Sequence, residues 1–372
     1  MIRAVAYFGT YDPLYPRSAV MVAGLRECGV TVYEVRASLP DLTAAEMATP
    51  SGAARLVAGL GKAHLELLGQ LRGRLPVDAL IVGYPGHFVV PLGRAVAGFL
   101  RTRLVFDPLV SLWDTFVGDR GLIVGRGLKA GAIRVADRVA FTLPDLVLAD
   151  TKAHAAYYRS AFRLPERCLA VVPVGALPVP DADGGARTLR AGETLRVFQY
   201  GKWSPLHGAA TVVAAADLLR DQPFRFVLAG EGQLSASLRR EIASRGLSNI
   251  EWLGSLSPAS LRAQTLAADV CLGVFGRSDK AARVVPNKVY DALSCGRPVI
   301  TADTPGAREL LTDSQNAVLV PAASPGALAT ALSGLLRVED RRRMGAASLA
   351  LYRKALTPPA VARTLLAALE GC

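Results

Sequence analysis

Residues 284–301, VVPNKVYDALSCGRPVIT, place a lysine where a helix should begin. Pro286 favours an extended residue before it, so Asn287 is expected to cap a helix that runs to Gly296. Lys288 then lies in the first turn of that helix. The helix dipole disfavours a cation there by about 0.3 to 1 kcal/mol, and an acidic residue would be the ordinary choice.

Two interpretations of Lys288 are open at this point. An anion bound near the helix start would supply the missing negative charge, together with the exposed amides of the first turn. Alternatively, Lys288 forms an ion pair with Asp291 one turn later, worth about 0.2 to 0.5 kcal/mol.

Two glycine-containing segments also follow predicted strands. YGKWSPLHG (200–208) opens a helix, and FVLAGEGQL (226–234) contains Gly230 and Gly232, which would let backbone approach a ligand closely. A single GxG is a weak signal, because glycines also serve tight turns between a strand and a helix. Each motif alone is therefore better explained by a turn.

Strands and helices alternate along the whole chain, which predicts an α/β fold with doubly wound parallel sheets. The predicted strands of the first half are IRAVAYF, VTVYEVR, ALIVGY, RLVFD and LVLAD. Those of the second half are LRVFQYG, FRFVLAG, IEWLG, VCLGVF, RPVITAD and NAVLVP. Helical segments such as HGAATVVAAADLLR and LSASLRREIASRG separate them.

The segment 176–194, ALPVPDADGGARTLRAGET, resembles a linker and predicts a boundary near its start. We expect an N-terminal domain at 1–178, a second Rossmann-like domain at 179–356, and a final helix at 357–372 that crosses back to the first domain. Two such domains would leave a cleft at the carboxyl ends of their strands, where doubly wound folds bind ligands.

Composition indicates a folded globular protein, with 51% hydrophobic and 20% charged residues. Five scattered cysteines without a CxxC pair favour free thiols in a reducing compartment. No metal-ligand spacing occurs, and the one close acidic pair, Asp181 and Asp183, lies in the predicted linker. We therefore expect no metal ion and no cofactor.

The N-terminus lacks a signal-type apolar region, and no window offers eighteen uncharged apolar residues, so a cytoplasmic location is expected. The 43 basic and 31 acidic residues give a net charge of +12, which favours anionic partners. Nucleic acid is the weakest of these, because the basic residues are dispersed and lack interleaved aromatics.

The segment 124–149 mixes basic and apolar residues at helical spacing. Its cations are Arg126, Lys129, Arg134 and Arg138. This pattern suits a helix lying on an anionic membrane face, so peripheral membrane contact is a possible partner interaction. The alternative is an ordinary surface helix that packs its apolar stripe on the sheet.

In the second half, the order of the motifs is more specific than any one of them. YGKxxxxHG, AGEG, WLG, ADV, PNKVYDALSCGRPVIT and NAVLVP together resemble the C-terminal domain of family 4 glycosyltransferases, which have the GT-B fold. In the first half, FGTYDPLYPR, VGYPGHF, FDPLVSLWDTFVGDRGL and LADTKAHAAYY resemble a bacterial branch of the same superfamily.

This resemblance implies a nucleoside-diphosphate sugar, UDP-linked by preference, held by the second domain and an unknown acceptor held by the first. It implies transfer with retention at the anomeric carbon and without a metal ion. The donor diphosphate would then be the anion beside Lys288. The implied donor-binding residues are Gly9, Thr10, Gly201, Lys202, His207, Gly230, Gly232, Leu253, Ser255, Pro286, Asn287, Lys288 and Asp291.

Lys202 and His207 fall where the family commonly has a basic pair that stabilises the departing diphosphate, which makes them catalytic candidates. A histidine at this position would make the site sensitive to pH. The alternative for His207 is a helix-start residue that is hydrogen-bonded to backbone.

Asp291 matches a family carboxylate that takes the ribose hydroxyls. A second glutamate usual in the family would lie eight residues earlier, and here that position is Arg283. This departure leaves two expectations. Either Asn287, Lys288 and backbone amides position the sugar, or the activity is lost.

In the first half, Asp107, Asp114 and Asp119 follow a predicted strand and could orient the acceptor hydroxyl, with Asp107 and Asp114 as catalytic candidates. For each of them, a cap or a salt bridge, such as Asp119 with Arg120 or Arg126, is the simpler alternative.

Three further residues are candidates for contacting the acceptor or the sugar. Tyr11 and Arg17 lie in the loop that follows the first strand, and His87 follows a later strand. A lone loop histidine is more often polar filler.

Two other functions remain open from the sequence. A GT-B sugar-nucleotide epimerase would need acid and base groups around its nucleotide, and the chain has only four histidines, His64, His87, His154 and His207. A catalytically degenerate partner subunit is suggested by Arg283.

Overall fold

The computed structural model describes residues 1–40, 49–71, 76–180 and 182–371, which form two compact units. The first unit comprises the described residues of Met1–Trp113, Ile123–Pro173 and Pro358–Cys372. The second comprises those of Asp114–Leu122 and Val174–Thr357. The short segment 114–122 therefore groups with the second unit, although the sequence places it within the first half.

Each unit contains one six-stranded parallel sheet with helices packed around it. The strands are β1 Ala4–Gly9, β2 Thr31–Arg36, β3 Ala79–Val82, β4 Arg103–Phe106, β5 Leu146–Ala149, β6 Leu169–Val171, β7 Leu195–Tyr200, β8 Phe224–Ala229, β9 Ile250–Leu253, β10 Val270–Leu272, β11 Val299–Ala302 and β12 Ala317–Val320. The described helices are α1 Pro16–Glu27, α2 Pro50–Gln70, α3 Val90–Leu100, α4 Leu128–Thr142, α5 Lys152–Phe162, α6 Ala209–Leu218, α7 Ser235–Ser244, α8 Pro258–Ala267, α9 Asp279–Arg283, α10 Asn287–Ser294, α11 Pro305–Leu310, α12 Pro325–Gly334, α13 Val338–Ala355 and α14 Pro358–Glu370. A π-helical turn spans Asp114–Asp119, and 3-10 turns span Glu166–Cys168 and Pro205–His207.

The apolar runs of the sequence form the central strands, as predicted. All four residues of β3, of β5 and of β11 are buried, because helices cover both faces of a parallel sheet. The α/β prediction with two doubly wound sheets is confirmed. The strand β6 was not predicted, since its three residues are only partly buried and carry no distinctive pattern.

The two sheets differ in strand order. The first runs β2-β1-β3-β4-β5-β6 and the second runs β12-β11-β10-β7-β8-β9, with every pairing parallel. In the second sheet the chain moves outward from β7 through β8 to β9 and then returns to β10 on the other side of β7. The strand order therefore reverses between β7 and β10, and ligands of such sheets bind at that point.

The segment predicted to be a linker packs onto the second unit. A methyl group at Gly296 would lie 2.6 Å from the Cα of Gly184, and one at Gly345 would lie 2.7 Å from the Gly184 carbonyl oxygen. Only glycine allows three backbone segments to approach so closely. The first part of the segment is anchored too, since Tyr352 donates a hydrogen bond to the carbonyl of Ala176.

The final helix belongs to the first unit, where α14 packs on α1. Gly24 makes this contact possible, because a methyl group there would lie 1.9 Å from the carbonyl oxygen of Pro358. None of the helices in the described part of the chain is both long enough and apolar enough to cross a bilayer.

Candidate functional site

The candidate site of the second unit lies at the reversal point of its sheet, in the loops that follow β7 and β10. Gly201 is at its centre. A methyl group at Gly201 would lie 2.3 Å from Nε2 of His207 and 3.2 Å from Nζ of Lys288. The His207 ring and the Lys288 amine therefore both lie close against the Gly201 backbone, where the side chain of any larger residue would displace them.

His207 carries an N–H group beside Gly201. Its other ring nitrogen, Nδ1, accepts a hydrogen bond from the backbone N–H of Ser204 at 3.2 Å, as part of a capping box. Because Nδ1 is the acceptor, the proton of the neutral ring is on Nε2. The helix-start interpretation of His207 is thus correct in geometry, and it still leaves Nε2 available for a ligand.

The surroundings of His207 are strongly positive. Burial lowers its pKa well below the usual value, and Lys288 lowers it further, with smaller effects from Arg120 and Lys280. This lowering favours the neutral ring near pH 7, so the pH sensitivity expected of His207 stays a prediction. The same cations would attract an anion that approaches His207.

Lys288 is the second basic residue beside Gly201, and its amine is buried. Its side chain is 5% exposed, and Nζ has no hydrogen-bond partner among the described residues. Nζ also lies 5.8 Å from the centroid of the Tyr200 ring. Burial alone lowers the pKa of Lys288 to about 7. A buried amine without a partner lowers the free energy of unfolding, unless a ligand supplies a negative charge beside it.

The alternative partner, Asp291, is engaged elsewhere. The Asp291 carboxylate accepts a hydrogen bond from the Tyr200 hydroxyl, and it forms no ion pair with Lys288. Burial raises the pKa of Asp291, and the Tyr200 hydrogen bond opposes that rise. The i, i+3 ion pair suggested by the sequence is therefore wrong.

The start of α10 differs from the prediction by one residue. Pro286 is the N-cap and Asn287 is the first helical residue, with no side chain capping the first turn and no acidic residue in it. The helix ends at Ser294 and Gly296 follows at φ 62°. The first amides of α10 are thus free of side-chain caps beside the buried amine.

Gly230 and Gly232 serve packing between loops. A methyl group at Gly230 would lie 2.1 Å from the Gly201 carbonyl oxygen, and one at Gly232 would lie 2.0 Å from that of Lys202. The turn interpretation is therefore the better one for both, and they hold the Gly201 loop in place.

The remaining donor-site candidates of this unit are more exposed. The side chains of Lys202 and Ser255 are exposed, and Leu253 is half-buried, with its carbonyl accepting a hydrogen bond from the Gly230 N–H. Their predicted roles stay predictions.

Contacts that the sequence analysis did not predict join α9 to the segment 114–119 beside the site. Arg283 pairs with Asp114 at 2.6 Å, and Lys280 donates to Thr115 at 2.7 Å. Both contacts hold the π-helical segment against α9. The spacing of Lys280 and Arg283, one turn apart in a short helix, is the only sequence signal for this arrangement.

Two aspartates change roles as a result. Asp114 is buried and paired with Arg283, which is the salt-bridge alternative and not the geometry of a free acceptor-orienting carboxylate. Asp119 accepts a hydrogen bond from Ser278 at 2.8 Å, so its suggested pairing with Arg120 or Arg126 is wrong.

The candidates of the first unit are mostly engaged within its core. Arg17 and Asp107 are each 1% exposed and form a two-bond ion pair of 3.0 and 2.8 Å. Arg17 also donates to the carbonyls of Val172 and Pro173. Burial opposes the charge, but Asp107 outweighs it and raises the pKa of Arg17. Neither side chain is free to contact a substrate, so the predicted catalytic role of Asp107 does not fit this geometry.

Tyr11 and His87 are buried as well. Tyr11 is 2% exposed and donates to Glu34 at 3.1 Å. His87 is 3% exposed, with Nε2 donating to the Val110 carbonyl at 3.0 Å, and burial lowers its pKa to about 4. These contacts replace the substrate contacts expected for both.

The loop after β1 contains the last two candidates. Gly9 ends β1 at φ 129°, and the Thr10 hydroxyl donates to the Pro85 carbonyl at 3.1 Å. Thr10 is partly exposed, so its predicted donor contact stays a prediction.

The described residues contain no group of three or more His, Cys, Asp or Glu side chains placed to hold a metal ion. Asp181 of the acidic pair lies outside those residues. A cavity of about 820 Å³ lies at the opposite end of the first sheet, but Arg94 there is paired with Asp145 and Arg103 donates to Leu369. Both of these arginines are engaged in contacts within the first unit.

Comparison with known proteins gives matches to glycosyl transferases. Residues 195–338 match the family model of glycosyl transferases group 1. Their range contains Gly201, His207, Arg283 and Lys288. WcaI of Escherichia coli K12, named as a colanic acid biosynthesis glycosyl transferase, is 31% identical over 125 residues. WbjE of Pseudomonas aeruginosa, named as a glycosyltransferase, is 26% identical over 136 residues.

Solved structures match along the whole chain. HepE of Anabaena, crystallised with UDP and glucose, has a TM-score of 0.67 at 15% identity and full coverage of both chains. The chain has the GT-B fold and resembles glycosyl transferases group 1. Sucrose-phosphate synthase of Thermosynechococcus elongatus has a TM-score of 0.70 at 16% identity, covering 99% of this chain and 98% of its own. At these identities the GT-B match concerns the fold alone.

The match to the curated relatives is partial. The aligned segment spans 33% of this chain and 30% of WcaI, and 35% and 32% for WbjE, so the chain spans about a third of the length of the relatives it matches. The epimerase alternative is not favoured, because His207 alone of the four histidines lies in the site. His154 is paired with Asp150 in the core, and His64 hydrogen-bonds to its own helix.

Proposed function

We propose that this protein is a retaining, metal-independent glycosyltransferase that moves a sugar from a nucleoside-diphosphate sugar to an acceptor hydroxyl. The observation that carries the proposal is the convergence of Lys288 Nζ and His207 Nε2 beside Gly201, at the reversal point of the second sheet. Both groups are hydrogen-bond donors, and both lack an anionic partner in the described residues.

A diphosphate suits this arrangement better than a neutral ligand does. It would place oxygens against Lys288, the His207 N–H and the uncapped amides of α10, which satisfies donors that are otherwise left in a buried position. As the glycosidic bond breaks, negative charge grows on the departing phosphate oxygen. A well-placed donor stabilises such charge by about 3 to 4 kcal/mol.

Arg283 fits this scheme as a structural residue. Its pairing with Asp114 leaves it neutralised, so it does not add an uncompensated charge where the family has a carboxylate. The donor sugar would then be positioned by Asn287 and backbone amides, and the ribose hydroxyls by the part of Asp291 that Tyr200 leaves available. UDP-linked donors are the first choice, because HepE was crystallised with UDP and with UDP-glucose.

A donor screen tests the proposal. Thermal unfolding is measured with UDP-, GDP- and dTDP-linked sugars, since a ligand that binds only the folded state raises Tm. We expect one class to raise Tm and to yield free nucleoside diphosphate only when acceptor is added. No shift with any donor would favour the degenerate subunit, and a new sugar nucleotide formed without acceptor would favour the epimerase.

Gly201→Ala localises the binding. Its methyl group would displace the His207 ring and crowd Lys288, so the shift in Tm with donor should disappear, and urea denaturation of the free variant checks that it still folds. Gly254→Ala is the matched control, since the nearest atom to a methyl group there is Glu231 Oε1 at 3.9 Å. Donor binding that survives Gly201→Ala would place the diphosphate elsewhere.

A further inference from the structure

The outer face of α4 (Leu128–Thr142) has an apolar stripe that is exposed in the described structure. Leu128, Ala132, Val135 and Val139 are spaced at i, i+4, i+7 and i+11, which aligns them on one face of the helix. Leu128 is 94% exposed, Val135 is 63% exposed and Val139 is 37% exposed. A surface helix would ordinarily be polar on this side.

This stripe is distinct from the one that packs on the first sheet. The buried residues of α4 are Ala130, Asp137, Ala140 and Phe141. At about 100° per residue the exposed stripe is centred roughly opposite Asp137. The helix therefore has two apolar sides, and only one of them is explained by the core. The predicted alternative, a helix that simply packs on the sheet, accounts for half of the pattern.

Cations flank the exposed stripe. Lys129 lies on one side of it, and Arg134 and Arg138 lie on the other, with Arg126 just before the helix. All four are exposed. Arg134 also stacks on the Trp113 ring at 3.8 Å.

Negative charge is missing from the same surface. The only acidic residue between 121 and 142 is Asp137. Asp137 is fully buried, where it accepts hydrogen bonds from Ser111, Leu112 and Trp113. The segment 121–142 thus combines exposed Leu and Val side chains with cations and carries no exposed carboxylate.

The start of α4 adds to this preference for anions. Its N-cap is Gly127, which offers no side-chain cap, and its first turn contains no acidic residue. Lys129 occupies that turn, where the helix dipole disfavours a cation. A phosphate near the helix start would satisfy the free amides and the lysine together.

We propose that the outer face of α4 binds the surface of an anionic lipid bilayer. Leu128, Val135 and Val139 enter the headgroup boundary, while Arg126, Lys129 and Arg138 contact lipid phosphates. A second copy of the chain is a poorer occupant, because a symmetric contact would bring two sets of like charges together. This surface belongs to the first unit and is independent of the donor site proposed above.

Vesicle sedimentation tests the proposal with the full chain. We expect binding to phosphatidylcholine vesicles that contain about 30% phosphatidylglycerol, and at least about tenfold weaker partitioning when salt rises from about 0.05 to 0.5 M. Equal binding to pure phosphatidylcholine vesicles, or none to the anionic ones, would overturn the proposal.

Two variants assign the binding to α4. R126E/K129E/R138E should reduce partitioning by at least about 100-fold, whereas R240E/R342E/K354E, with the same change in net charge on exposed residues of the second unit, should reduce it far less. Leu128→Ser with Val135→Ser should reduce it by about tenfold without loss of stability, since both side chains are exposed. Equal losses in the two charge variants, or a serine variant that only converts a dimer to a monomer, would refute the assignment.

Discussion

The carboxyl edges of the two sheets carry similar residue types in opposite states. At the edge of the first sheet, Arg17 is buried against Asp107 with two hydrogen bonds, so its charge is balanced inside the protein. At the edge of the second sheet, Lys288 is buried without a hydrogen-bond partner in the described residues, and the neighbouring His207 offers another donor.

This difference separates a structural charge from a functional one. A buried charge that has its partner stabilises one arrangement of loops and is unavailable to a ligand. A buried charge without a partner is unfavourable in the free protein and gains most when an anion arrives. Burial of a basic residue is therefore not the signal of a site, whereas burial without a partner is.

The largest effect is expected at the carboxyl edge of the first sheet, where Arg17 is paired with Asp107. Asp107→Asn should lower the free energy of unfolding by about 3 to 5 kcal/mol, because it leaves Arg17 charged in the core without its carboxylate. Urea denaturation measures this. Asp303→Asn removes a similar two-bond pair with Arg308, but an exposed one, and should cost at most about 1 kcal/mol. Equal losses would show that burial does not distinguish the two pairs.

At the carboxyl edge of the second sheet, removing the buried charge should raise the free energy of unfolding instead of lowering it. Lys288→Met should weaken donor binding by more than about tenfold while raising the free energy of unfolding by about 2 kcal/mol at pH 6, because it removes an amine that burial disfavours when charged. Calorimetry and urea denaturation give the two values. Lys354→Met, at an exposed lysine of α13, is the control and should change neither.

The gain in stability should itself depend on pH. The pKa of Lys288 is about 7 in the folded protein, against an ordinary value of 10.5. At a pH between these two values, the Lys288 amine is protonated in the unfolded chain and largely neutral in the folded protein. The free energy of unfolding of the wild type therefore rises with pH, and the stability advantage of Lys288→Met becomes smaller. A variant that weakens binding and also lowers stability would indicate that Lys288 already has a partner in the free protein.

The smallest effect concerns donor affinity as a function of pH. Below pH 7 the Lys288 amine is already charged, whereas above it a proton must be taken up when the diphosphate binds. Affinity for a sugar nucleotide should therefore fall by up to about tenfold per pH unit above 7, and binding heats should vary with the buffer. Sugar nucleotides suit this measurement, because their diphosphate does not titrate in this range. The pKa of His207 in the free protein lies well below its ordinary value, so Lys288 is the group expected to dominate this pH dependence.

Most of the strands and the unusual position of Lys288 could be predicted from the sequence, because the patterns that indicate them are local. Ten of the twelve strands span four or more residues, and several of them, such as β3, β5 and β12, are uninterrupted apolar runs, which the sequence pattern identifies directly. Lys288 was found because its position in a helix start is unfavourable by itself. By contrast, the pairing of Arg17 with Asp107 joins residues 90 positions apart, and that of Arg283 with Asp114 joins residues 169 apart. No local pattern encodes such contacts.

The sequence by itself determined the alternation of strands and helices, the resemblance to glycosyl transferases group 1 and the anomalous lysine at the start of α10. Only the tertiary structure decided which charged residues are neutralised, since this depends on which loops the sheet order brings together. It assigned Arg17, Asp107 and Tyr11 to the core and placed Lys288 and His207 side by side next to Gly201. The physical reason is that a charge is free or balanced according to its neighbours in space, and those neighbours come from distant parts of the chain.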